Sequence, residues 1–111
     1  RIRAQVAGYT RGGRKVAMLG AGHLSGAFIN LYGLDDQIDF VADDNPKKHG
    51  LFMPGSKAPI RPSSELLTRN VGLCLMTVRA EIEAAVAAKN AAFTARGGVL
   101  ASIFPESPLS L

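Results

Sequence analysis

The stretch "KVAMLGAGHLSGAFIN", Lys15 to Asn30, decides the fold. Lys15 to Leu19 is a short apolar run that reads as a strand, and "AFINLYGL" reads as a helix. Between them Gly20, Gly22 and Gly26 form a G-x-G-x-x-x-G turn. A glycine turn between a first strand and a helix is where α/β folds hold phosphate, because backbone N–H groups and the helix dipole point at the anion. Gly20 permits the tight turn, Gly22 lets a ligand approach the backbone, and Gly26 lets the helix pack on the sheet. The same glycines also suit a turn that serves packing alone. His23 and Ser25 lie within this segment. His23 can donate a hydrogen bond to a phosphate or a carbonyl, but a general base needs a partner that the neighbouring residues do not supply.

"IDFVA", Ile38 to Ala42, is the second strand, and it ends on Asp43, Asp44 and Asn45. These fall at the carboxyl edge of the sheet, where open α/β folds bind ligands. An acidic residue there can take a ribose hydroxyl, and it can equally be ordinary loop polarity. Pro46 holds Asn45 out of helix. Lys47 and Lys48 can pair with the aspartates or with phosphate, and His49 beside them reads as surface polarity. From Asp43 to Pro62 the chain is expected to form one long loop, stiffened by Pro46, Pro54, Pro59 and Pro62. Leu51 and Phe52 are expected to dock that loop on the core or on another domain.

Upstream, Ile2, Val6 and Tyr9 have near-helical spacing, so residues 1–13 read as an incoming helix or linker from a preceding domain, and 14–111 as the domain proper. Downstream, "SSELL" begins a short helix with Ser63 or Ser64 as cap. Val71 to Val78 and Val99 to Phe104 are the third and fourth strands. Ala80 to Arg96 is expected to be one helix, with Ile82, Val86 and Phe93 on a buried stripe and Glu81, Glu83 and Lys89 on the wet face. Strands apolar on both faces, alternating with helices, predict a small Rossmann-like three-layer α/β domain. Its four-stranded parallel sheet has the order 2-1-3-4, with helices on both faces.

The chain has 111 residues, 47% hydrophobic and 20% charged, which fits one globular domain. It opens on Arg1, as expected for a segment of a longer or processed protein. The net charge of +4 suits an anionic small molecule. The basic residues are dispersed and tryptophan is absent, which argues against nucleic acid as a partner. No apolar run is long enough for a membrane span and no signal-peptide pattern opens the chain, so a cytoplasmic location is expected. The single cysteine, Cys74, reads as a small buried strand residue. Two isolated histidines make no metal site.

Three segments carry a resemblance: the glycine loop, Asp43-x-Asn45-Pro46-x-Lys48-x-Gly50 leading to Pro54-Gly55 and Pro59-Ile60, and Gly97-Gly98 leading to Pro105-Glu106. Together they resemble the C-terminal domain of SAM-dependent C-methyltransferases acting on nucleotide-linked deoxysugars. The resemblance covers nearly the whole chain from Lys15, and the Asn-Pro to Pro-Gly segment is its most specific part. It implies a zinc-binding domain and a SAM-binding domain upstream. It also implies that this domain binds no SAM, carries no catalytic residue and forms one wall of the acceptor cleft. The segment alone is then expected to be inactive. The expected substrate-binding residues are Gly20, Gly22, His23, Ser25, Asp43, Asn45 and Lys48. Many relatives carry a Lys-Gly pair after the first strand, where this chain has Leu24, Ser25 and Gly26, so the acceptor is open to differ from a nucleotide-sugar. A second reading is a free-standing nucleotide- or NAD(H)-binding regulatory module. A third is a structural wall that touches no ligand.

Overall fold

The structure, a computed structural model, describes residues 2–111. Arg1, the first residue of the expected incoming helix, lies outside them. The elements run α1 (Ile2–Arg11), β1 (Lys15–Leu19), α2 (His23–Leu31), β2 (Ile38–Ala42), β3 (Ile60–Arg61), β4 (Val71–Met76), α3 (Ala80–Lys89), α4 (Ala91–Ala95) and β5 (Val99–Ser102). Short 3-10 turns lie at Pro46–Lys48 and Ser63–Leu66.

All strand pairs are parallel, and the sheet order is β3-β2-β1-β4-β5. The four expected strands are present in the expected order. The fifth, β3, corrects the strand count and the reading of Asp43 to Pro62 as one long loop. Ile60 and Arg61 pair with Val41 and Ala42 at the sheet edge. The segment before them folds back on itself, with Phe52 bridging Pro59 and the Met53 amide donating to the Ala58 carbonyl at 2.8 Å. Two residues of strand next to prolines carry too little periodicity to be read from sequence.

Side chains alternate across the sheet and build two apolar layers. Val16, Met18, Leu73 and Leu75 face Val6 of α1 and Ile29 of α2. Ala17, Leu19, Phe40, Cys74 and Met76 face Leu66 and Phe93. Every residue of β4 is buried, as a central parallel strand covered on both faces must be.

The expected single helix from Ala80 to Arg96 is two. The Asn90 side-chain amide donates to the Val86 carbonyl at 2.9 Å, and its backbone leaves helical geometry at φ −105°, ψ 26°. Local side-chain bonds of this kind compete with the helix ladder. The break turns Phe93 onto the sheet, where its ring lies over Gly98: a Cβ there would sit 2.4 Å from ring atoms. The expected buried stripe is also corrected. Ile82 is exposed and Glu83 is buried, its Oε1 accepting from the Ser107 hydroxyl at 2.6 Å. The C-terminal tail covers this part of α3 and then runs beside β5, where the Ser102 amide donates to the Leu109 carbonyl at 2.8 Å. Ser63 and Ser64 do not cap their turn. Pro62 occupies the cap position, and the Ser63 hydroxyl bonds Asp44 instead.

Candidate functional site

The glycine loop lies at the carboxyl edge of β1 and is held from two directions. From just beyond the end of β4, Thr77 donates to the Leu19 carbonyl at 3.0 Å, and its hydroxyl stands 2.9 Å from that of Ser25. Ser25 in turn donates to the Gly20 carbonyl. From the end of β2, Asp43 Oδ2 accepts from the Ala21 amide at 2.9 Å, and Lys48 Nζ donates to the Ala21 carbonyl at 2.8 Å. Lys48 also lies 3.8 Å from Asp43 Oδ2.

Several expected ligand contacts are therefore braces of the loop. Asp43 Oδ1 accepts from the Asn45 amide at 2.9 Å. Asn45 Oδ1 accepts from Lys47 at 3.1 Å and caps the turn that delivers Lys48. His49 Nε2 contacts the Asp43 carbonyl at 2.5 Å. Ser25 is fully buried and faces Thr77 rather than solvent. Gly20 has φ +106° and belongs to the turn itself.

Asp44, the neighbouring carboxylate, points elsewhere. It pairs with Lys89 at 2.6 Å and accepts from the Ser63 hydroxyl at 2.7 Å. The Lys89 hydrogen bond, helped by Ser63 against partial desolvation, holds its carboxyl well below the usual range, at about 2.

Beside the braced loop is a groove of about 610 Å3, within the usual range for ligand pockets of roughly 300–1,000 Å3. One wall is the α2 face formed by His23, Gly26, Ala27 and Asn30, which helical spacing places in one stripe. The other is Leu51, Phe52, Met53, Pro54 and Ile60, with Ala21, Gly22 and the Lys48 stem at the end. Leu51 and Phe52 do not dock on the core; they are 55% and 64% exposed along the groove. A Cβ on Gly22 would meet nothing within 4 Å, and one on Gly26 would meet Met53 Cε at an ordinary 3.7 Å. Gly26 thus borders the groove, and the expected role in helix-to-sheet packing is not what it does.

Of the expected set, Gly22, His23 and Lys48 line the groove. Ala27, Asn30 and the Leu51–Pro54 wall were not anticipated as site residues. Asn30 could have been found by stepping two helical turns on from His23. Among the described residues, no three His, Cys, Asp or Glu are placed to hold a metal. Cys74 is buried in the sheet, and burial pushes its thiol pKa up. No described helix is long and apolar enough to cross a membrane.

A parallel, doubly covered sheet with a glycine loop and a groove at its carboxyl edge defines a small Rossmann-like domain. Its family follows from the sequence match: the model of the C-methyltransferase C-terminal domain covers residues 1–105, and the chain belongs to that family. No curated protein is similar enough in sequence to count as a match. Among solved structures, the crystal structure of RSP, a Rex-family repressor, aligns with a TM-score of 0.62 at 14% identity. The alignment covers 83% of this chain and 46% of that one, so this chain spans about half of its length. At that identity the likeness is one of fold.

Proposed function

We propose that this domain forms one wall of the acceptor-substrate cleft of a SAM-dependent C-methyltransferase, with a nucleotide-sugar-like acceptor and with SAM held by a preceding domain of the same protein. The supporting observation is the groove. It is lined mainly by residues that the fold does not consume, while Asp43 and Lys48 are engaged in holding the loop. A wall of this kind binds and orients. Proton abstraction from the acceptor carbon is assigned to the rest of the methyltransferase. The 111-residue chain is then inactive by itself and does not bind SAM.

The test is steady-state kinetics of a C-methyltransferase carrying this domain. Phe52→Ala is expected to raise KM for the acceptor severalfold and leave KM for SAM unchanged. An unchanged acceptor KM, or micromolar SAM binding by the 111-residue chain, refutes the reading.

The fold shared with a Rex-family repressor favours a second reading, a nucleotide- or NAD(H)-binding regulatory module. Against it, both Asp43 oxygens already accept protein amides, leaving the strand-2 acid less available for a ribose hydroxyl. Thermal stabilisation by NAD(H) in the absence of any response to an acceptor would favour this second reading.

A further inference from the structure

We propose that residues 105–111 form a strap that opens on a hinge at Pro105 without unfolding the domain, with Ser107 and Glu83 as its latch and the edge of β5 as the surface it uncovers. The first observation is how the strap is attached. Residues 105, 106 and 108–110 are exposed and Leu111 is half-buried, while Ser107 is buried. Three hydrogen bonds tie the strap to the elements it covers. The Ser107 hydroxyl donates to Glu83 Oε1 at 2.6 Å, the Ser102 amide donates to the Leu109 carbonyl at 2.8 Å, and the Leu111 amide donates to the Ser102 carbonyl at 3.2 Å. Other bonds knit the strap together. The Ser110 amide donates to the Ser107 carbonyl at 3.0 Å, and the Leu109 amide donates to Ser107 Oγ at 3.0 Å, so these residues move as one piece. The sheet ladder ends just before them: the Ile103 amide donates to the Met76 carbonyl at 3.1 Å, and Pro105 has no amide with which to continue it.

The second observation is the latch itself. Glu83 is 3% exposed, and its Oε2 has no hydrogen-bond partner among the described residues. A buried carboxylate with an unpartnered oxygen raises the free energy of the closed state. Opening returns that oxygen to water, which offsets part of what the broken bonds lose. Local openings of this kind lie below global unfolding in free energy. In the closed state Ser110 bridges Ser102 in parallel register, so the strap is a short extra rung beside β5. With the strap away, the Ser102 amide and carbonyl stand unpaired on an open sheet edge, where another strand can add.

Native-state hydrogen exchange on the 111-residue chain, in a series of low urea concentrations, tests this. The Ser102 and Leu111 amides should exchange at least about tenfold faster than the amides of β4, and with a much weaker urea dependence, because opening the strap exposes little surface. Ser107→Ala should speed exchange at Ser102 and Leu111 about tenfold more, the loss of one hydrogen bond to a charged group, without steepening its urea dependence. Adding Glu83→Leu to Ser107→Ala should restore slow exchange, since the carboxylate that favours the open state is gone and both latch positions are then apolar. A chain ending at Phe104 should stay folded, with β4 amides protected and the Ser102 amide unprotected. The proposal is overturned if Ser102 and Leu111 exchange in step with β4 at the same urea dependence, if Ser107→Ala leaves their exchange unchanged, if Glu83→Leu brings no recovery, or if the chain ending at Phe104 is unfolded.

Discussion

Gly20→Ala separates a glycine required by the backbone from one required by the groove. Gly20 has φ +106°, a region that L side chains rarely adopt, and its added Cβ would lie 2.7 Å from Thr77 Oγ1. That hydroxyl cannot withdraw freely, since it donates to the Leu19 carbonyl at 3.0 Å and stands 2.9 Å from Ser25 Oγ. The strained backbone costs about 1–3 kcal/mol. Displacing the Thr77 hydroxyl adds about 1 kcal/mol. Gly20→Ala should therefore destabilise by about 2–4 kcal/mol, a large part of the roughly 5–15 kcal/mol available to a domain. With a urea m-value of about 2 kcal/mol/M, the midpoint falls by about 1–2 M at unchanged m. Thr77→Ala removes the obstructing atom, so Gly20→Ala in that background should cost about 1 kcal/mol less, a coupling of ordinary size for contacting residues. Gly22→Ala, two positions on, has an extended backbone (φ −121°) and an unobstructed Cβ, and as the N-cap of α2 should lose less than about 1 kcal/mol. Equal effects at Gly20 and Gly22, or no coupling between Gly20 and Thr77, would refute the reasoning.

Two further outcomes follow from buried and paired groups. Asp44 has a folded-state pKa of about 2 against a usual 3.8, so its pairing contributes fully above about pH 4 and is lost as pH falls toward 2. Because the side chain is 42% exposed, that contribution is at most about 1 kcal/mol, and Asp44→Asn should flatten this acid limb in a series of urea midpoints against pH. Cys74 is buried with its pKa raised by desolvation, so a thiol reagent at neutral pH should label it only as the chain unfolds. Rapid labelling of the native chain would contradict the packing of β4.

The layered fold was legible because its evidence is local. Apolar strands such as Val71–Met76, a glycine turn after the first of them, and helical spacing before Gly12 and Gly33 are patterns of adjacent residues, and solvent exclusion enforces them. The break at Asn90 was less legible, since the alanines around it have high helix propensity and a single side-chain bond decides the outcome. Glu83 shows the same limit: its periodicity belongs to a wet face, and only the returning tail with Ser107 buries it.

The candidate site divides along the same line. By itself the sequence determined that a glycine loop, a strand-2 acid and a basic residue meet at the carboxyl edge, because strand order and chain length allow few other placements. Only the tertiary structure decided what they do there. Hydrogen-bond acceptors and donors are limited in number, and Asp43, Asn45, Lys48 and Ser25 use theirs on the loop. What remains open to a ligand is set by space rather than by residue type: the side Gly22 and Gly26 leave clear, and the wall that β3 draws across from α2.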